Sequence, residues 1–181
     1  TGWGRTGDHF WGYQAHGIIP DMLTFAKGVG NGITLAGIVG RAEIMDTLPH
    51  LSFSTFGGNP LSTAAGLATL RYVKEADLQG NAKARGQQMK DRLTPVAERT
   101  DWIAELRGKG LMQAIETVHP SSIEPDPKAA KMLLEHAKDR GLLIGKGGLY
   151  GNVLRLTPML NITEAEMDDG LDALIAAIDS V

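Results

Sequence analysis

Glycine placement constrains this chain more than any other feature. Most of its 23 glycines fall in residues 1–66 and 141–151, with charged amphipathic patterns between them. Glycine clusters mark backbone that takes positive φ or passes close to something else. The distribution predicts two site-forming regions joined by a plainer scaffold. In the first region, "TFAKGVGNGI" (residues 24–33) sets a single lysine at a seam. The apolar run Met22, Leu23, Phe25, Ala26 reads as a buried strand, and Gly28, Gly30 and Gly32 follow Lys27 at every second position. Burial disfavours the charged form of an amine and leaves the neutral form that attacks a carbonyl. The glycines then let a flat group lie close to the backbone. Lys27 thus suits a Schiff base to an aldehyde cofactor, and a plain surface lysine is the competing reading.

Composition narrows the classes. The 181 residues are 43% hydrophobic and 22% charged, with net charge −3, long enough for one large or two small domains. No basic footprint points to nucleic acid. The absence of cysteine excludes disulfides, thiolate metal sites and cysteine nucleophiles, and favours a reducing, cytoplasmic setting. No stretch approaches the roughly 20 apolar residues that span a bilayer, so no membrane partner is expected. The chain opens on turn residues without an initiator Met and reads as a piece of a longer one.

Along the chain, residues 1–17 read as a glycine- and aromatic-rich loop, and Leu35–Val39 as a second strand before a short helix from Ala42. Asn59 caps a helix with Pro60 at its first position. Its small interior (Ala64, Ala65, Gly66, Ala68) predicts close packing on a neighbour. A long amphipathic helix from Leu78 to Arg99 puts Met89, Leu93 and Val96 on one side. Two strands, 102–107 and 111–118, meet at a hairpin-like "RGKG". A helix ends at Gly141, strand-like "LLIGKGG" and "NVLRLTP" follow, and a last helix opens on the capping box Thr163/Glu166. The first 76 residues read as part of an α/β layer with too few strands for a complete sheet. Residues 77–181 read as a smaller α+β unit of β-β-α-β-α order.

Other chemistries lack anchors. "GVGNGI" is not a G-x-G-x-x-G opening a helix, and no G-x-x-x-x-G-K-[ST] or G-x-S-x-G occurs. His9, His16, His50, His119 and His136 are scattered, without metal-ligand spacing or a nearby carboxylate pattern.

The motifs "TGWGRTGDHFWGYQAHGIIPDMLTFAKGVGNGI", "STFGGNPLSTAAGLATL", "LRGKGLMQAIE" and "LRLTPMLNIT" resemble, in order and spacing, those of class III aminotransferases, which depend on pyridoxal 5'-phosphate. "RGKGLM", "GLLIGKGG" and "LRLTPMLNIT" are most similar to alanine–glyoxylate aminotransferases of the type-2 kind, with ω-amino-acid transaminases close behind. The resemblance implies the C-terminal part of a fold-type I transferase. Residues 1–76 would then be the end of the large cofactor-binding domain, and 77–181 the small C-terminal α+β domain.

It also implies roles. Lys27 carries the cofactor and shuttles a proton. Thr55, with the amides of Phe56, Gly57 and Gly58 just before a helix N-terminus, holds the phosphate of a neighbouring subunit's cofactor. That role implies a homodimer or a dimer of dimers. The alternative is that Ser54 and Thr55 only cap a turn. Arg155 grips the substrate carboxylate with its guanidinium fork; the alternative is an edge-strand arginine paired to an acid of its own domain. Arg5 is a second anion contact or a structural loop residue, and Trp3 stands in the same motif. The family's acid opposite the pyridine nitrogen lies in a D-E-V-Q motif before "TG", outside this sequence, so the fragment alone is expected to be inactive without the N-terminal half. The implied reaction is ping-pong transfer of an amino group from alanine or an ω-amino acid to glyoxylate, pyruvate or 2-oxoglutarate. Alternatives are a racemase or decarboxylase of the same fold, or a truncated non-catalytic subunit.

Overall fold

The computed structural model describes residues 2–47, 49 and 53–181. Thr1, Leu48, His50, Leu51 and Ser52 lie outside the described residues, and with them the reading of His50 as a scattered, non-ligating histidine. The N-terminal loop runs through turns into a short 3-10 helix, Gly12–His16. Strand β1 (Met22–Phe25) pairs antiparallel with β2 (Gly37–Gly40), from Met22 opposite Gly40 to Phe25 opposite Gly37. Among the described residues these two strands form a sheet of their own. β1 is therefore not the buried strand its composition predicts: Met22 is 45% exposed, and Val39 on β2 is 60% exposed. Two strands bury little without a further layer on their apolar faces.

β2 also begins two residues later than expected, because Leu35 leaves the strand to pack elsewhere. After the short helix α1 (Ala42–Met45) comes α2 (Pro60–Glu75). As predicted, Asn59 caps α2, its Oδ1 accepting from the Ser62 N–H at 2.9 Å. The small interior of α2 meets the turn that follows β1. The Leu35 side chain occupies the space that a Cβ on Gly66 would need, and Val29 is 3% exposed there.

The remaining elements are α3 (Leu78–Glu98), β3 (Ile103–Lys109), β4 (Met112–Thr117), α4 (Pro127–Asp139), β5 (Gly145–Gly147), β6 (Val153–Leu156) and α5 (Glu164–Ile178). The four strands form an antiparallel sheet in the order β3-β4-β6-β5. Its buried side chains meet those of α3, α4 and α5 in one core. There Met89, Leu93 and Val96 from α3 join Leu133 from α4, Leu154 from β6 and Leu174 from α5. Burying each such side chain contributes roughly 1.5–3 kcal/mol. Along α3, Arg85, Arg92 and Arg99 recur every seven residues and pair with Glu164, Asp168 and Asp179 at 3.0, 2.9 and 2.6 Å, aligning α3 with the chain's last helix.

Two expectations shift here. The β3–β4 turn is Gly110-Leu111, three residues beyond the start of "RGKG", because Lys109 still pairs with Met112 and Gly110 supplies the positive φ of 51°. Leu142–Ile144 lie outside any strand, with Leu143 84% exposed, and β5 and β6 are separate strands, so the order is β-β-α-β-β-α. The C-terminal stop at Gly141 and the Thr163/Glu166 capping box both form as read. No helix among the described residues is long and apolar enough to cross a membrane.

Candidate active site

β1 delivers Lys27 at its end. Ala26 is extended (φ −161°, ψ −169°), then Lys27 turns into the left-handed region at φ 56° and opens the 3-10 turn Lys27–Gly30. A residue with a Cβ pays roughly 1–2 kcal/mol for that conformation. The turn persists because Val29 is held beneath α2 and the Asn31 N–H closes on the Gly28 carbonyl at 3.2 Å. The Lys27 side chain is exposed, so the burial argued from sequence is not supplied by this chain. The cause is the two-stranded sheet itself, which leaves the end of β1 open. Neither Lys27 nor Arg155 forms an ion pair among the described residues. Beside Lys27, a Cβ built on Gly28 would meet nothing within 4 Å.

Aromatic packing fixes the strand that carries the amine. The Phe25 ring stands edge-on to Trp3, centroids 5.4 Å apart, and Trp3 lies 4.7 Å from Trp11. Two residues beyond Trp3, the Arg5 Nη1 donates to the Leu111 carbonyl at 3.1 Å and to the Pro158 carbonyl at 2.6 Å. The Leu111 N–H donates back to the Arg5 carbonyl at 2.9 Å. Of the two readings open for Arg5, the structure gives the loop-holding one. Burial pushes its guanidinium below the ordinary arginine value.

Arg155 sits on β6, between β4 and β5, opposite Ala114 on one side and Gly145 on the other. Arg155 thus does not lie on an edge strand. Leu154 and Leu156 turn into the core (0% and 5% exposed), so strand alternation sends Arg155 to the opposite face. Glycines on β5 make room for it: a Cβ on Gly147 would lie 3.4 Å from the Arg155 Cδ. Arg155 also borders an apolar pocket of about 180 Å³, with Leu143, Ile144, Pro158 and Ile162.

Thr55, Phe56 and Gly57 form an exposed turn ahead of α2, with Phe56 80% exposed. The Gly57 N–H donates to the Ser54 carbonyl at 3.2 Å, so that amide is engaged within the turn rather than offered to an anion. The phosphate reading therefore rests on the Thr55 hydroxyl and the neighbouring backbone. Sequence reasoning also set His119 apart from any carboxylate, yet its Nδ1 lies 3.3 Å from the Asp126 Oδ2. Asp126 caps α4 through the Lys128 and Ala129 N–H groups, so this pair serves a helix end. The Trp3–Phe25 contact and the Arg5 bridge were not found from sequence; the three glycines of "GWGRTG" are the signal of close approach that marks that loop.

Comparison with known proteins gives the family. The sequence pattern of class III aminotransferases matches residues 1–178, and the chain belongs to that family. It is 42% identical over 181 residues to the mitochondrial alanine–glyoxylate aminotransferase 2 homolog 2 of Arabidopsis thaliana, covering 99% of this chain and 37% of that protein. An alanine/serine racemase of Pyrococcus horikoshii is 38% identical over 178 residues, 98% of this chain and 37% of its own length. Among solved structures, an Arthrobacter phospholyase in complex with phosphoethanolamine superposes with TM-score 0.95 at 36% identity, covering all of this chain and 44% of that one. The α/β architecture is shared over the full chain, which spans about two-fifths of the length of these relatives.

Proposed function

We propose that the protein carrying this chain is a pyridoxal-phosphate-dependent aminotransferase. It moves an amino group from alanine or an ω-amino acid to a 2-oxo acid such as glyoxylate, pyruvate or 2-oxoglutarate. The observation that carries the reading is Lys27: an amine with no ion pair among the described residues, held in a strained backbone just past a strand end, with open space at Gly28. Strain of this kind persists where surrounding structure imposes it, and it clusters at functional sites. The fit to the cofactor is chemical: a lysine to hold the aldehyde, a threonine hydroxyl for the phosphate, an arginine for a substrate carboxylate. When bound, pyridoxal phosphate supplies the electron-withdrawing ring that lets the bonds at the amino-bearing carbon break.

Each residue then has a task. Lys27 Nζ would hold the cofactor and would take the proton off the substrate carbon. Arg155 orients the substrate by two parallel hydrogen bonds to its carboxylate. Thr55 donates to the cofactor phosphate of a neighbouring subunit, which makes the active unit at least a homodimer. In this reading residues 1–76 complete a larger cofactor-binding domain and 77–181 are the small C-terminal domain. The separate core of the latter, drawn from residues 82–178, supports that division. The 181-residue chain alone is expected to show no turnover, since its Lys27 stands in water that a working site must exclude.

The racemase relative supports a second reading, in which the same residues interconvert the mirror forms of an amino acid. A panel of amino donors against glyoxylate, pyruvate and 2-oxoglutarate with the full-length protein separates them. New amino acid formed from an added oxo acid supports transfer, and loss of optical activity without it supports racemisation.

A further inference from the structure

We propose that Arg5 is a positioning residue that sets where Arg155 stands relative to Lys27, and so tunes the protein's grip on the substrate carboxylate. The inference rests on the reading of Arg155 as the carboxylate-binding group. The contacts form one continuous run. Phe25 precedes Lys27 by two residues and packs on Trp3; Trp3 precedes Arg5 by two; Arg5 donates to the Pro158 carbonyl, three residues after Arg155. A second bond from the same Nη1 reaches the Leu111 carbonyl at the β3–β4 turn. One guanidinium group thereby joins the loop that braces the lysine strand to the strand exit that carries the second cation.

Little slack remains in that junction. A Cβ on Gly86 of α3 would come within 2.5 Å of the Gly110 Cα, and one on Gly110 would overlap the Arg5 carbonyl oxygen. Backbone is thus stacked on backbone from α3 through the hairpin turn to the Arg5 loop. A loop seated this closely transmits its position instead of absorbing a change. Arg5 itself touches no reacting atom in this account; its effect passes through Arg155.

The test is a double-mutant cycle in the full-length holoenzyme, read by binding of propionate, a substrate carboxylate without the amine, from the change in cofactor absorbance. Arg5→Met should weaken propionate roughly tenfold to a hundredfold, the scale that small misplacements of an oriented group reach. It should add nothing in an Arg155→Met background, because residues acting through one another do not add. Arg5→Lys should recover part of the loss. Hydrogen exchange at the Leu111 amide, which bonds to the Arg5 backbone, should stay slow in Arg5→Met. Equal weakening in both backgrounds, no weakening, or a lost Leu111 amide with no rescue by Arg5→Lys would overturn the proposal. If Arg5→Met does not fold, Arg5→Gln is taken through the same cycle with the same criteria, and Arg5→Lys remains the rescue variant. Unchanged propionate binding in Arg155→Met alone would overturn the reading of Arg155 first, and that of Arg5 with it.

Discussion

Lys27 occupies a backbone conformation that favours glycine, and this predicts a trade. Lys27→Gly should raise stability by roughly 1 kcal/mol, the strain relieved at φ 56°, while removing cofactor attachment. Thermal unfolding and the cofactor absorption band measure the two effects on the same sample. At Arg155, substitution by lysine keeps the charge but loses the two-pronged geometry. The KM for carboxylate substrates should rise about tenfold or more, as expected when a charge-assisted hydrogen bond is lost. At this scale much was legible: a lysine between an apolar run and spaced glycines, and an arginine between two leucines. Exposure was not, since the apolar density of residues 22–26 does not say how many strands will flank them. Arg5 was undecided in sequence because its partners are carbonyls 106 and 153 residues away.

Secondary-structure elements followed local chemistry most closely where caps and periodicity agreed. Asn59-Pro60, the Thr163/Glu166 box and Gly141 each bound a helix as read. Thr163→Ala should lower stability by about 1 kcal/mol in denaturant unfolding. Strand ends moved because pairing, not propensity, set them, with Lys109 still opposite Met112 and Leu35 drawn off to α2. On β4 the Glu116 carboxylate accepts a hydrogen bond from Arg107, which holds it below the usual carboxylate range, and Asn152 adds a second bond. With the folded value depressed, that contribution is complete above the unfolded value of about 4.3 and fades as pH falls below it. The melting temperature of the native chain should therefore exceed that of Glu116→Gln near neutrality, with the gap closing in acid. A gap that widened in acid would contradict the pairing.

Among the described residues, a hydrophobic core gathers side chains from residues 82–178, while β1 and β2 stay half exposed and the turn of Thr55 is exposed. Hydrogen exchange on the isolated 181 residues should show α3, β4 and α5 as the slowest amides and β1 and β2 as the fastest strands, following local burial. Comparable protection in both regions would contradict that ordering. This division was partly legible, because the long amphipathic helical patterns all lie from Leu78 onward. The exposure of β1 and β2 was not, since composition alone does not count the neighbours of a strand. The central claim, that Lys27 holds the cofactor, is tested most directly by reducing the full-length holoenzyme with borohydride and locating the cofactor-labelled peptide. The label should fall on Lys27; a label on any other residue, or a reduced protein without label, would rule that role out.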